Sequence, residues 1–262
     1  MKRSSSLVCS LLALFVVGCG PAPAPVAAKP KQLAIASSST LTVELLTVGP
    51  LTVGQNRVFY KVTRADGAPV PHAHLVQLPL MKMETMQHGC PVLNPDHAPN
   101  ADGLWEGLLV FTMASTEMDV WTLKATVALE EGGAEEQLDF GSLSVADSAM
   151  KKVLTRDTSK IILTLGYPDA PHVGSNPIVI TAHQAMDAMK MEYATVDDLV
   201  FTVTPEMPSM GHGAAGSVNP VRGEDGLYRG SVVFSMAGDW VVHLGVVAND
   251  AELGTFDFPL DL

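Results

Sequence analysis

The sequence predicts an all-β chain of two tandem sandwich domains, set behind an export signal and a flexible tether. Three observations predict it. Apolar and polar residues alternate over short runs such as Leu41-Thr42-Val43-Glu44-Leu45 and Trp240-Val241-Val242-His243-Leu244, which is the period-2 pattern of half-buried strands. No long stretch carries a convincing apolar period of 3.6, the signature of an amphipathic helix. The chain also repeats itself in order, so a single domain plan is used twice.

At the N-terminus, Lys2 and Arg3 precede an apolar run of eleven residues from Leu7 to Val17. That run is too short to span a bilayer and reads as a signal peptide. The ending Val16-Val17-Gly18-Cys19 resembles the bacterial lipoprotein signal, with Val16 where leucine is usual. The resemblance implies that residues 1–19 are a lipoprotein signal, that Cys19 is the site of lipid attachment, and that the mature protein hangs from a membrane of the bacterial cell envelope, facing the periplasm. Residues 20–40 are rich in Pro, Ala, Ser and Lys and have little to bury, so they read as a solvated linker.

The two copies follow as residues 41–145 and 161–262. Val53-Gly54-Gln55-Asn56 matches Val173-Gly174-Ser175-Asn176, and Gly103-Leu104-Trp105 matches Gly226-Leu227-Tyr228. Phe111-Thr112-Met113-Ala114 matches Phe234-Ser235-Met236-Ala237, and Trp121 matches Trp240. Between the copies, residues 146–160 carry Asp147, Lys151, Lys152, Arg156 and Asp157 and read as a polar linker. Gly- and Pro-containing turns such as Val48-Gly49-Pro50 separate the strand runs. About seven short strands around an inward tryptophan in each copy favour an immunoglobulin-like sandwich, with a small barrel as the alternative.

A net charge of −12 disfavours nucleic acid and anionic lipid as partners. Of three cysteines, Cys9 lies in the signal and Cys19 is the lipid site, so Cys90 has no intrachain disulfide partner. Each domain must therefore be held by its hydrophobic core. No nucleophile elbow, zinc-protease motif, phosphate loop or dinucleotide fingerprint is present, so the sequence does not read as an enzyme.

The chemistry concentrates in Met207-Pro208-Ser209-Met210-Gly211-His212-Gly213 and in its counterpart Met83-Glu84-Thr85-Met86-Gln87-His88-Gly89. Proline and glycine argue against a helix, and a strand would send Met207 and Met210 to opposite faces, which leaves a loop. Met236 and Met113 each end a strand and can approach from the side. The candidate metal residues are thus Met207, Met210, His212 and Met236 in the second copy, and Met83, Met86, His88 and Met113 in the first, where Cys90 is an additional thiol. Thioether sulfur is a soft neutral donor that suits Cu(I), and imidazole serves copper in either oxidation state. Methionine is also an adaptable core filler. That rival weighs most on Met113 and Met236, and on a second cluster, Met186, Met189 and Met191, which reads as packing.

With those residues in view, Met-Pro-Ser-Met-Gly-His-Gly followed by Gly226-Leu227-Tyr228 and Phe234-Ser235-Met236-Ala237-Gly238-Asp239-Trp240 resembles the YtkA-like/FixH-like domains of bacterial envelope proteins. The resemblance is closest over residues 160–262 and looser over the first copy, which inserts residues before Trp121 and lacks the Gly-x-Trp. It implies an immunoglobulin-like sandwich and a role in copper binding or cytochrome oxidase assembly. The implied partners are a copper ion and an envelope metalloprotein or oxidase-assembly protein. A metal-free tandem module that binds another envelope protein is the alternative expectation.

Overall fold

The computed structural model describes residues 28–96, 98–187 and 189–262. The signal and the lipid-attachment residue Cys19 lie outside the described residues. Within them the chain is all-β and no helix is long and apolar enough to cross a membrane.

Each half is a sandwich of two main sheets with the same strand order. In the first half, one sheet runs Lys31–Ser37, Leu41–Thr47, Gly54–Arg64, Trp105–Phe111, Val92–Leu93 across its width. The facing sheet runs Gln87–His88, Ala73–Lys82, Val120–Leu129, Glu136–Leu143. In the second half the corresponding orders are Lys151–Arg156, Ser159–Gly166, Gly174–Ala185, Tyr228–Phe234, Val218–Arg222, and His212–Gly213, Val200–Met207, Asp239–Ala248, Ala251–Asp261. All of these pairings are antiparallel; Val145–Ala146 adds a short parallel pairing with Leu51–Thr52. The repeat in the sequence is therefore a repeat in topology, and the immunoglobulin-like sandwich holds over the barrel.

Alternation explains why these segments are strands. Leu41, Val43, Leu45 and Thr47 are buried while the residues between them are half-exposed. Val200–Met207 likewise buries every second residue, ending on Met207. The inward residues meet in two separate cores, one around Trp105, Trp121 and Phe111, the other around Trp240, Phe234 and Phe258. In both cores a phenylalanine tilts against the tryptophan, at 4.9 Å for Phe111 and Trp121 and 5.2 Å for Phe234 and Trp240. Such pairs add to the burial of two large rings.

The shared Val-Gly-x-Asn motif has a structural job. The Asn56 amide donates to Thr52 O and Gly54 O, and its Oδ1 accepts from Thr52 N–H. Asn176 does the same with His172 and Gly174. Gly54 and Gly174 have φ of 103° and 112°, a region closed to most side chains. Asparagine thus satisfies a turn whose backbone groups would otherwise be buried unpaired.

Two expectations change at the domain edges. The segment read as a tether holds the strand Lys31–Ser37, paired to Leu41–Thr47, because its alternating Ala34 and Ala36 turn inward onto the sandwich. The segment read as a linker holds Lys151–Arg156, which forms a hairpin with Ser159–Gly166 about a turn with Asp157 at φ 55°. Strand edges need few apolar residues, so composition alone concealed both.

The halves are packed together rather than strung on a linker. The Gln55 amide Nε2 donates to Val179 O at 2.9 Å and to Thr164 Oγ1 at 3.0 Å across the join. Arg57 Nη1 donates to Pro168 O at 2.9 Å, and Lys151 Nζ to Thr112 O at 2.7 Å. Beside them Leu108 and Val110 of the first half close a small apolar cluster with Leu227 and Val179 of the second.

One buried histidine makes stability depend on pH. Burial pushes His183 down from 6.5 to about 4, and its Nδ1 has no hydrogen-bond partner among the described residues. Once unfolded, the ring takes a proton near its ordinary value, so acid favours the unfolded chain. The stability is intact above that value and is lost as pH falls towards about 4, in full on the order of 3 kcal/mol. In urea unfolding at neutral pH and at about pH 4.5, His183→Leu should lose less stability on acidification than the parent. An equal loss in both proteins would contradict this account.

Candidate metal centre

At the same end of each sandwich, a hairpin, a strand end and a tryptophan meet. In the second half Met207 is the last residue of its strand and pairs with His212. The intervening residues form a tight turn in which Met210 N–H and Gly211 N–H both donate to Met207 O, with Gly211 at φ 64°. The expected loop is thus a hairpin. Gly213 is required beside the histidine, since a Cβ there would stand 2.9 Å from Pro205 O.

The tryptophan organises the rest. Trp240 Nε1–H donates to Met236 O at 2.9 Å, fixing the bend that carries Met236, which lies two residues past the strand Tyr228–Phe234 and not at its end. His212 approaches the same indole edge-on, with ring centroids 5.9 Å apart. In the first half Trp121 Nε1–H donates to Met113 O at 2.9 Å, and His88 meets the indole at 5.4 Å, again edge-on. The loop between methionine and tryptophan differs in length, eight positions against four, yet the same bond forms.

Both histidines are prepared in the same way. His88 Nδ1 lies 2.8 Å from Gly89 O and His212 Nδ1 lies 3.1 Å from Gly213 O. A carbonyl oxygen only accepts, so each Nδ1 carries a proton, and in the neutral ring the lone pair is then on Nε2. Neither Nε2 has a hydrogen-bond partner among the described residues. Metal-binding imidazoles are oriented by this kind of bond on the far nitrogen.

The methionines divide into two groups. Met207 is buried in the core, while Met210 and Met236 are 63% and 43% exposed. In the first half Met86 and Met113 are 43% and 38% exposed. Met83 is half-buried on the turn, and the strand register places Met81, not Met83, opposite His88. Met81 is fully buried, so it is the structural counterpart of Met207. The shared Pro-x-Met, Pro79-Leu80-Met81 and Pro205-Glu206-Met207, is the sequence signal for this register. The alignment on Met-x-x-Met missed it because the first turn is two residues longer.

In the second half an acidic residue ties the two methionine-bearing turns together. The Asp239 carboxylate accepts from Ser209 N–H at 3.2 Å and from the Ser209 hydroxyl. Those bonds, the hydroxyl's first, hold its carboxyl below the usual range. Cys90 does not join the donors. It is buried in the first core, and burial pushes its thiol up despite a backbone hydrogen bond from Val110. No group of three or more His, Cys, Asp or Glu converges on a metal position among the described residues. The side chains these tips carry in common are thioethers and one imidazole, donors of the kind that suits a soft monovalent ion.

Residues 158–245 match the model of the YtkA-like family. That span runs from the strand Ser159–Gly166 through the histidine hairpin and Trp240, and leaves out the edge strand Lys151–Arg156 and the last strand Ala251–Asp261. No curated protein matches the sequence. Among solved structures, domains 5-6 of the S-layer protein SbsC superpose with a TM-score of 0.30 at 11% identity, covering 88% of this chain and 98% of that one. Domains 4-9 of SbsC give 0.28 at 13% identity, covering 88% and 31%. The D0-D1 domain of intimin gives 0.22 at 13% identity, covering 80% and 93%. Superpositions this loose carry no argument about function.

Packing at this tip leaves one position no freedom. A Cβ on Gly238 would come within 2.2 Å of Met207 Cε, and its φ is 143°. Gly238→Ala should cost about 2 kcal/mol or more in urea unfolding, through overpacking and backbone strain together. An unchanged midpoint would show that Met207 does not fill the space beneath the turn. Within the YtkA-like match, then, lies a tryptophan-supported tip that presents one imidazole nitrogen and exposed thioethers.

Proposed function

We propose that the protein is a membrane-anchored envelope copper-binding protein that holds Cu(I) at its Met/His tips, for buffering or for delivery to a partner. The observation that supports this reading is the pair of Nδ1–carbonyl bonds, which leave the Nε2 of the neutral ring uncommitted on a hairpin that also carries an exposed methionine in both halves. Large exposed thioethers are costly in water, and a soft cation gives them a purpose. His212 would supply the nitrogen, with Met210 and Met236 as sulfur donors and Met207 forming the floor. In the first half His88, Met86 and Met113 take the same parts, and Met83 lies within the same turn.

A neutral donor set keeps the bound ion singly charged and is suited to release as well as capture. In this reading the protein is a carrier and not an enzyme. Both halves are copies of one YtkA-like/FixH-like domain, Cys19 carries the lipid, and the protein faces the periplasm of the bacterial cell envelope. The partner is an envelope metalloprotein or an oxidase-assembly protein.

The exposed methionines also support a second reading, in which they form an adaptable apolar contact for a protein partner with no metal involved. Competition for Cu(I) against a chromophoric chelator separates the two. The parent protein should withhold copper, and His212→Ala and Met210→Leu should each weaken the second site by about tenfold, roughly 1.4 kcal/mol. No copper retention by the parent, or equal retention by the variants, would favour the metal-free module.

A further inference from the structure

The first tip differs from the second in having a neighbour. The loop joining Gly174–Ala185 to Tyr193–Thr195 in the second half reaches the first half at Gly89, the residue after His88. Gly89 N–H donates to Lys190 O at 3.0 Å, and a Cβ on Gly89 would stand 3.1 Å from Met191 O. This loop carries Met186, Met189 and Met191, all exposed, at 63%, 59% and 47%. The sequence suggests packing for these residues; the structure leaves them in solvent.

The loop is built, not slack. Asp187 Oδ2 accepts from Met191 N–H at 2.9 Å and from Glu192 N–H at 2.7 Å, while Met186 N–H donates to Glu192 O at 2.9 Å. Lys190 takes φ 54°, which turns the chain at the point of contact, with Met189 and Met191 flanking it. Gly89 thereby receives Lys190 on its N–H while its carbonyl holds His88 Nδ1. A second approach is close by. Lys151 Nζ bonds Thr112 O, next to Met113, and Lys151 is lowered first by burial and then by the charge of Lys190, despite the opposing pull of Asp147. The loop thus meets the first tip at the residue beside His88. His88 is 4% exposed, whereas His212, at the corresponding position without such a loop, is half-exposed.

We infer that the first tip is completed across the domain interface, as a composite soft-metal site in which Met189 and Met191 of the second half join His88, Met86 and Met113 of the first. It rests on the reading of these tips as Cu(I) sites and deepens it. The two sites of one chain are then unequal. The second is open and made by one domain, suited to exchange. The first has a buried histidine, is richer in thioether and depends on the docking of the two halves. Methionine has three rotatable bonds, so thioethers on either side of the Lys190 contact can close on an ion at His88 without rebuilding the backbone. Soft ligands of this kind select Cu(I) and Ag(I) over the harder divalent ions.

The test uses the full chain with His212→Ala and Met210→Leu, so that the first site dominates, and adds Met189→Leu and Met191→Leu. Leucine keeps the volume and removes the sulfur, so the fold should persist; an unchanged urea midpoint checks this. Chelator competition for Cu(I) should show the added pair lowering the remaining affinity by about tenfold or more. Methionine-methyl NMR during Ag(I) titration of the parent should shift the signals of Met189 and Met191 together with those of Met86 and Met113. Unchanged affinity, or silent Met189 and Met191 signals while Met86 shifts, would overturn the composite site and leave the simpler copper reading intact. Failure of the parent to bind either ion would overturn both.

Discussion

Each half of this molecule depends on one buried indole. Trp121 and Trp240 are fully buried in their cores, and each gives its N–H to the carbonyl of a methionine two residues past a strand. A buried indole N–H without a partner costs free energy, so that bond fixes the turn in which the methionine sits. The same buried ring meets the histidine of the neighbouring hairpin edge-on. Core packing and the placement of the imidazole are therefore set by a single side chain. The loop lengths around it vary between the halves, but the bond pattern does not.

The consequence is a site that is organised in its surroundings and loose in its donors. The histidine is held by the ring behind it and the glycine carbonyl beside it, while the thioethers are exposed on side chains with three rotatable bonds. Under the proposed copper reading, a held nitrogen with adaptable sulfurs suits an ion that is taken up and handed on. Docking of the two halves through Gln55, Arg57 and Lys151 then gives the first tip a neighbour that the second lacks. Duplication has produced two tips of one design in different surroundings.

Much of this was legible in the sequence, for identifiable reasons. Alternation and the ordered repeat give the sandwich and its duplication, because strand faces impose period 2 and the two copies keep the same landmarks. Met-x-x-Met-x-His-Gly marks the tip; its glycine is needed in the second half by the approach of Pro205 O to Gly213 and is crowded in the first by Met191 O beside Gly89. The edge strands 31–37 and 151–156 were not legible, because an edge buries too few residues to leave a strong apolar pattern. The pairing of Met81 with His88 was hidden by the longer first turn, although Pro79 offered the clue. The contact between Gly89 and Lys190 is made by backbone groups far apart in the chain, which no local pattern encodes. The same holds for Gln55, whose polar side chain gives no hint that it crosses to the other half.

The central claim is that sulfur and one imidazole nitrogen per tip share a soft ion. X-ray absorption at the copper edge of the Cu(I)-loaded protein addresses it most directly. The account predicts a first shell dominated by thioether sulfur, with a minor nitrogen contribution that falls in the His212→Ala protein. A shell of only oxygen and nitrogen, or one unchanged by that substitution, would contradict it.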